Sequence, residues 1–194
     1  MDAGMYPLAK KLLAICISAL TLSVVLLAAA DSGVQYTQDA KMILPKDYRQ
    51  WVFLSSGIGM SYDPSPASSA NPNFDNVFVN PEAYQSFLKT GTWPDKTILI
   101  LEVRASDSKL SINKDGRVQT NTLGIEAHVK DSARGGWAFY AFGKSGQVGT
   151  LFPKSATCYS CHEQNGAVDT TFAQFYPTLV EIAKDKGTFK SADH

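Results

Sequence analysis

The spacing of hydrophobic residues divides the chain into an N-terminal apolar run, a β-rich middle and a helical C-terminal part. Residues 12–27 are almost wholly apolar. Residues 97–104 carry apolar side chains too continuously for a half-exposed strand, so they predict a strand that is buried on both faces. Residues 123–129 alternate apolar with polar, which predicts a strand with one buried face. Residues 137–142 predict the last strand.

Helix signals flank this β-rich region. Residues 80–91 combine an N-cap asparagine, a proline at the first helical position, an acidic first turn and a final glycine, which together predict a helix. Pro45 predicts a short helix that runs into apolar residues 52–54. Aromatic and aliphatic residues recur at helical spacing over 172–182, where Pro177 either kinks the element or starts a second helix.

Turn signals complete the predicted order of elements. Residues 63–73 are rich in Pro, Ser, Ala and Asn and predict a loop before a strand at 77–79. The Lys-Asp-Gly-Arg stretch at 114–117 predicts a hairpin turn between strands at 110–112 and Val118. The fold class is therefore predicted to be α+β, with a predominantly antiparallel β-sheet, flanking helices and a helix after the sheet.

The N-terminus predicts export. Lys10 and Lys11 precede the apolar run, and three alanines end at Ala30, which is the pattern of a cleavable secretory signal peptide. A retained membrane anchor is the alternative, but the run of about 16 residues is short for a span of ~20. We predict a signal peptide at residues 1–30, a single domain at 31–194 and a periplasmic location.

Composition limits the partners of the predicted mature chain. The full sequence balances 18 basic against 18 acidic residues. Cleavage removes two lysines and one aspartate, so the mature net charge is about −1. This balance argues against nucleic acid and against an anionic membrane surface as partners. The 164 remaining residues suffice for one domain with a sizeable core.

One short motif points to a cofactor. Cys158-Tyr159-Ser160-Cys161-His162 has the C-x-x-C-H pattern by which c-type haem is attached. On a helix, positions i and i+3 share a face, so both thiols can bond to one edge of a porphyrin. The adjacent imidazole of His162 can ligate the haem iron from the proximal side. The sequence thus predicts one covalently attached haem c.

Other interpretations of the two cysteines remain open at this point. A C-x-x-C pair also occurs in redox disulfides and in zinc sites. Zinc normally has four ligands, and the third cysteine, Cys16, lies in the predicted signal peptide. For a motif helix, Thr157 or Ser155 is the expected N-cap. The motif lies late and no methionine follows it, unlike the order in small electron-transfer cytochromes c.

Several segments together resemble the cytochrome P460 family, which includes the cytochromes c′-beta. The resemblance covers about residues 44–188 and rests on 44–51 (LPKDYRQW), 79–84 (VNPEAY), 89–91 (KTG), 124–127 (GIEA), 129–131 (VKD), 137–140 (WAFY), the haem motif and 175–177 (FYP). It implies a mostly antiparallel β fold, a homodimer and a five-coordinate haem with an open distal face. Members bind nitric oxide, and some of them oxidise hydroxylamine.

The resemblance also assigns roles to individual positions. The hydroxylamine-oxidising members cross-link a lysine to the porphyrin, and the matched position here is Leu101, which has no nucleophilic nitrogen. Glu126 matches a distal carboxylate that assists proton transfer, and by strand alternation it shares a face with His128. Phe74 and Phe78 are candidates for an apolar cap over the haem, by analogy with the cytochromes c′-beta.

Three functions follow as hypotheses. The first is a five-coordinate cytochrome that binds nitric oxide or another small gaseous or nitrogenous ligand. The second is an enzyme that oxidises hydroxylamine, or acts on peroxide, with Glu126 transferring protons. The third is an electron carrier with a periplasmic redox partner and a sixth iron ligand. Met60 is the candidate for that ligand.

Overall fold

Seven antiparallel strands form one sheet in the computed structural model, which describes residues 33–61, 71–144 and 146–191. The strands are β1 (Met42–Ile43), β2 (Val52–Ile58), β3 (Phe74–Val79), β4 (Ile98–Asp107), β5 (Val118–Asp131), β6 (Gly136–Gly143) and β7 (Val148–Leu151). Their order across the sheet is β1-β7-β6-β5-β4-β3-β2. The predicted signal peptide and most of the predicted loop at 63–73 lie outside the described residues.

Within the described residues, three helices flank the sheet, namely α1 (Pro81–Thr90), α2 (Thr157–Asn165) and α3 (Val180–Asp185). Short 3-10 helices occupy Tyr48–Gln50, Ser132–Arg134 and Ala173–Phe175. The predicted α+β class, with a predominantly antiparallel sheet, is confirmed. In the part of the chain that the structure describes, no helix is both long and apolar enough to cross a membrane.

Helix α1 follows its sequence signals at both ends. It begins at Pro81, and Gly91 ends it with a left-handed backbone (φ 72°) and donates a hydrogen bond from its N–H to the carbonyl of Phe87. Asn80 occupies the N-cap position, but its side chain does not cap the helix. Its Oδ1 instead accepts a hydrogen bond of 2.8 Å from the N–H of Ile98, so Asn80 links the helix to β4.

Some sequence predictions differ from the observed elements. The sequence predicts neither β1 nor β7. These strands are two and four residues long and therefore carry little periodic signal. The predicted strand at 110–112 is wrong: β4 ends at Asp107 and β5 begins at Val118. The side chain of Ile112 is 88% exposed, so no packing supports a strand there. The helix predicted from Pro45 is the single 3-10 turn at Tyr48–Gln50.

The two faces of the sheet support two separate hydrophobic clusters. Strand β4 contributes Ile98 and Ile100 to one face, which we name the core face, and Leu99 to the other, which we name the helix face. Helices α1 and α3 pack on the helix face, where Phe87 and Leu179 are fully buried. Strand β4 is therefore buried on both faces, as its continuous apolar sequence predicts.

Strand β5 presents different chemistry to each face. Ile125, Ala127 and Val129 belong to the core-face cluster. The side chains between them, Glu126 and His128, therefore point to the helix face, since successive residues of a strand alternate. The predicted alternation of residues 123–129 thus places two titratable groups on the side of the sheet that carries the C-terminal segment.

A charged group on the core face connects the N-terminal segment to the sheet. Glu102 of β4 is 2% exposed and accepts hydrogen bonds from the Tyr48 hydroxyl, from Arg49 Nε at 2.8 Å and from Arg104 at 2.5 Å. Burial by itself raises the pKa of this carboxyl, but the hydrogen bonds outweigh burial and leave the pKa below its usual range. Glu102 is therefore ionised and fully partnered.

Candidate haem-binding site

A cavity of about 240 Å³ lies between the helix face of the sheet and the C-terminal segment. Its sheet side includes Val77 of β3, Leu99 and Leu101 of β4, and Glu126 and His128 of β5. The C-terminal segment contributes His162, Phe172 and Phe175, and Met60 contributes from the segment that follows β2. Most of the lining is apolar or aromatic, which is the surrounding that a porphyrin requires.

The haem motif lies on helix α2. Cys158 and Cys161 are one turn apart, and both are half-buried thiols without a disulfide. Partial burial raises the pKa of the Cys158 thiol. Ala156, not Thr157 or Ser155, occupies the N-cap position, and no side chain caps the helix. The predicted N-caps are therefore wrong, because the helix begins at Thr157 itself.

The imidazole of His162 is oriented by a hydrogen bond to the backbone. Its Nδ1–H donates to the carbonyl oxygen of Thr170 at 2.8 Å, which leaves Nε2 with a free lone pair. Burial lowers the pKa of His162, and the bond to Thr170 offsets part of that effect. A neutral imidazole with one nitrogen bonded to a carbonyl is the usual form of a metal-ligating histidine.

Three aromatic rings enclose His162. The ring centroids of Phe172, Phe139 and His128 lie 4.3, 4.6 and 5.0 Å from that of His162. These contacts restrict the rotation of the imidazole about its side-chain bonds. Together with the paired thiols and the apolar lining, they fit a haem: Cys158 and Cys161 would anchor it and His162 would bind its iron.

His128 is buried behind His162. It is 7% exposed, and its ring stacks on Phe139 with centroids 4.0 Å apart and planes 12° apart. Its Nε2 lies 3.2 Å from the hydroxyl of Thr170. Burial lowers the pKa of His128 well below its usual range, and the neighbouring His162 and Lys154 act in the same direction. His128 is therefore neutral near physiological pH.

Two carboxyl groups, Glu126 and Asp75, line the same cavity. The Glu126 side chain keeps exposed surface, yet the protein atoms around it displace enough water to raise its pKa, and the charge of Asp75 raises it further. Desolvation also raises the pKa of Asp75. Among residues 33–61, 71–144 and 146–191, neither carboxyl has a hydrogen-bond or ion-pair partner. The cavity therefore contains acids that retain protons more readily than free carboxyl groups.

Leu101, the position matched to the cross-linking lysine, does face this cavity. It pairs with Val77 of β3 on one side and with Glu126 of β5 on the other. A lysine at this position would therefore project towards the haem site. The leucine side chain contributes an apolar wall next to the Glu126 carboxyl.

The structure places Phe74 and Phe78 away from the cavity. Phe78 packs on the core face against Tyr48 and Phe53, with ring centroids 5.8 and 5.7 Å apart. Phe74 lies four residues earlier on the same strand and so shares that side, while Asp75 and Val77 face the cavity. Their positions therefore do not support the prediction that these phenylalanines cap the haem.

Sequence reasoning missed several residues of the site. Asp75 could have been found, because residues two apart on a strand share a face, which places Asp75 on the same side of β3 as Val77 and Val79. No sequence pattern indicates Thr170, because its role depends on how the loop that contains it packs against His162. Within the described ranges, no group of three or more His, Cys, Asp or Glu side chains is arranged to hold a metal ion.

Comparison with known proteins adds a family to this geometry. The family model described as Cytochrome P460 matches residues 45–173, about two thirds of the chain. The matched region includes strands β2 to β7, helix α2 and the complete C-x-x-C-H motif. No curated protein matches the chain. With the haem motif and the cavity inside the matched region, this chain belongs to the cytochrome P460 family and is a haem-binding cytochrome of c type.

Proposed function

We propose that this chain is a periplasmic cytochrome with one five-coordinate haem that binds small nitrogen ligands, nitric oxide in particular. Cys158 and Cys161 would attach the haem, and His162 would be its proximal ligand. The observation that carries the proposal is the position of His162: its Nε2 carries an unprotonated lone pair, and its ring lines a cavity shared with apolar side chains and two weakly acidic carboxyl groups. When bound, the haem supplies an iron that coordinates the ligand.

The side chains around the cavity support an open sixth position. His128 is the second imidazole in the described lining, and its ring is stacked on Phe139 with Nε2 directed to the Thr170 hydroxyl. It would have to break both interactions to reach an iron. A carboxyl group must lose its proton to bind iron, and the raised pKa of Glu126 and of Asp75 makes that loss less favourable than for a free carboxyl group, which disfavours both as a sixth ligand.

The apolar wall favours uncharged ligands. Val77, Leu99 and Leu101 offer no hydrogen bond to an anion, so an anion that enters loses hydration without compensation. Nitric oxide is small and neutral and loses little hydration. We therefore expect nitric oxide to bind much more tightly than a small anion such as azide.

Absorption spectroscopy of the purified holoprotein tests this proposal. We expect a high-spin spectrum in both oxidation states, and a new Soret band when nitric oxide is added to the ferrous form. A low-spin spectrum that nitric oxide does not change would refute an open distal position. Mass spectrometry of the haem peptide tests one haem with two thioether bonds and would reveal any further cross-link.

Oxidation of hydroxylamine is the alternative, and Glu126 is the reason to consider it. A carboxyl with a raised pKa in the ligand cavity can take a proton from bound hydroxylamine and release it as turnover proceeds. The assay compares wild type with Glu126→Gln, with an artificial electron acceptor to remove the electrons. Activity that the substitution abolishes would support the enzyme, and inactivity of both proteins would exclude it.

Electron transfer is the second alternative, and it depends on Met60. Its side chain is 40% exposed and lines the same cavity as His162. A thioether bound to the sixth position would give low-spin iron and a redox couple without ligand exchange. Met60→Leu decides the question: we expect the spectrum to stay unchanged, whereas conversion from low-spin to high-spin would favour the electron carrier.

Export and self-association complete the proposal. We propose that residues 1–30 are removed as a signal peptide, that the mature chain is periplasmic and not held in the membrane, and that it forms a homodimer. The intact mass of the secreted protein tests cleavage after Ala30. Sedimentation of the holoprotein tests the dimer. A redox partner in the periplasm would complete any catalytic cycle.

A further inference from the structure

We propose that His128 and Thr170 form a positioning pair behind the iron ligand, which fixes the orientation of the His162 ring and so sets the strength of its bond to iron. The inference rests on the proposed function in one respect, because it takes His162 as the iron ligand. It adds two residues that act on the haem iron through His162.

Thr170 contacts both histidines through different atoms. Its carbonyl oxygen accepts the Nδ1–H of His162 at 2.8 Å, and its hydroxyl lies 3.2 Å from Nε2 of His128. At this distance the hydroxyl can donate to the lone pair of His128 Nε2, and this hydrogen bond holds the threonine side chain. A displacement of Thr170 would therefore change the hydrogen bond that sets the tautomer of His162.

The His128 ring is held in place by neighbouring side chains of the sheet. It lies on β5 directly opposite Phe139 of β6, and their rings stack with centroids 4.0 Å apart. Trp137, two residues before Phe139, contacts the same imidazole at 4.3 Å. The edge of the ring meets His162 with centroids 5.0 Å apart and planes 78° apart.

The loop that carries Thr170 is held at both sides. Thr171 accepts a hydrogen bond of 2.8 Å from Nε1 of the buried Trp93 and donates one to the carbonyl of Val168. Asp169 forms an ion pair with Lys130 at 3.1 Å. The threonine carbonyl is thus held by groups outside helix α2, which by itself spans only nine residues.

Packing alone does not account for a histidine at position 128. A phenylalanine would fill a similar volume and stack equally well between Phe139 and Trp137, without the cost of burying ring nitrogens. What histidine adds is the contact of Nε2 with the Thr170 hydroxyl. A buried polar group is retained at little cost only where its hydrogen bond is made.

The expected consequence concerns the donor strength of His162. A hydrogen bond from Nδ1–H to a well-placed carbonyl increases the basicity of the imidazole and stabilises the oxidised metal. If the pair is disrupted, the carbonyl of Thr170 can move and that bond weakens. We expect a lower iron–histidine stretching frequency and a higher midpoint reduction potential.

The test compares holoprotein variants by resonance Raman spectroscopy of the ferrous form and by redox titration. Thr170→Val removes the hydroxyl at constant shape, and His128→Phe removes the other partner. Both should shift both readouts in the stated directions, and the double variant should shift them no further than one single variant. Thr170→Ser keeps a hydroxyl at this position, so both readouts should stay at wild-type values. Thr150→Val, on exposed β7, is the matched control.

Two results would overturn the inference: folded Thr170→Val and His128→Phe proteins with wild-type values, or shifts that add fully in the double variant. If one variant does not retain haem, the other, together with Thr170→Ser, decides the question. Failure of the proposed function would look different. Wild type itself would then lack an iron–histidine band in the ferrous state, while the redox titrations would still test the pair.

Discussion

Glu102→Gln should destabilise the fold and leave the haem site intact. Glutamine keeps the size of the side chain but has one acceptor oxygen where glutamate has two, and no charge. Glu102 now accepts from Arg49, Arg104 and the Tyr48 hydroxyl, so at least one arginine loses its partner. The adjacent Leu101 points to the opposite face of the sheet, so the cavity wall should not move.

The size of the destabilisation depends on how exposed the two arginine partners of Glu102 are. A hydrogen bond to a charged group contributes about 1.5–3 kcal/mol, and breaking a fully buried ion pair costs about 3–5 kcal/mol. Arg49 is 54% exposed and Arg104 is 30% exposed, so a released guanidinium regains water. We therefore expect a loss of about 2 kcal/mol. For a domain of this size that corresponds to a decrease in Tm of about 4–8 °C.

The effect should depend on pH with a definite sign. The pKa of Glu102 is lowered in the folded protein, so the folded state keeps this carboxylate charged where the unfolded chain takes up a proton. Its contribution is complete above the pKa of the unfolded chain and is lost as the pH falls through the folded pKa. Wild type and Glu102→Gln should therefore differ most near neutral pH and converge in acid.

Urea unfolding followed by circular dichroism, repeated across pH, measures this difference. Glu181→Gln is the matched control, because Glu181 is 70% exposed and its pair with Lys184 at the surface contributes little. If both variants lost the same free energy of unfolding, burial of Glu102 would not explain its contribution to stability. A difference that persists unchanged into acid would refute the role of ionisation, and a shifted Soret band would show that the two faces are not independent.

Further predictions concern the cavity and the haem motif. Asp75→Asn should lower the pKa of Glu126, because a neighbouring negative charge is removed. Infrared titration of the carboxyl band measures this pKa. The control variant, Asp115→Asn on the exposed β4–β5 loop, should leave it unchanged. Leu101→Lys should lower the same pKa through a cross-strand ion pair that Leu101→Met cannot form, and an unchanged titration would contradict the observed register. Cys158→Ala should leave one thioether bond to haem, which the mass of the haem peptide would show.

Part of this architecture could be predicted because it depends on local spacing. The alternation along β5 places Ile125 and Val129 on one face and Glu126 and His128 on the other, whatever the strand pairs with. The continuous apolar run of β4 likewise predicts burial on both faces. Helix α1 follows from its proline and glycine signals, although Asn80 bonds to β4 and does not cap the helix.

The errors arise where long-range pairing decides the outcome. Strand β7 has only four residues, and its pairing with β1 joins segments about a hundred residues apart, so no local pattern predicts it. The family resemblance predicts that Phe74 and Phe78 lie on the haem side. The register of β3 against β4 turns them the other way and brings Asp75 to the cavity.

The sequence by itself determined the cofactor chemistry, because two thiols one helical turn apart and an adjacent imidazole are a local arrangement within five residues. It also determined which residues share a face of each long strand, because that follows from backbone geometry. Only the tertiary structure decided how His162 is held. His128 comes from β5, Phe139 from β6, and the Thr170 carbonyl and Phe172 from the C-terminal loop, and these three segments meet only when that loop packs on the sheet.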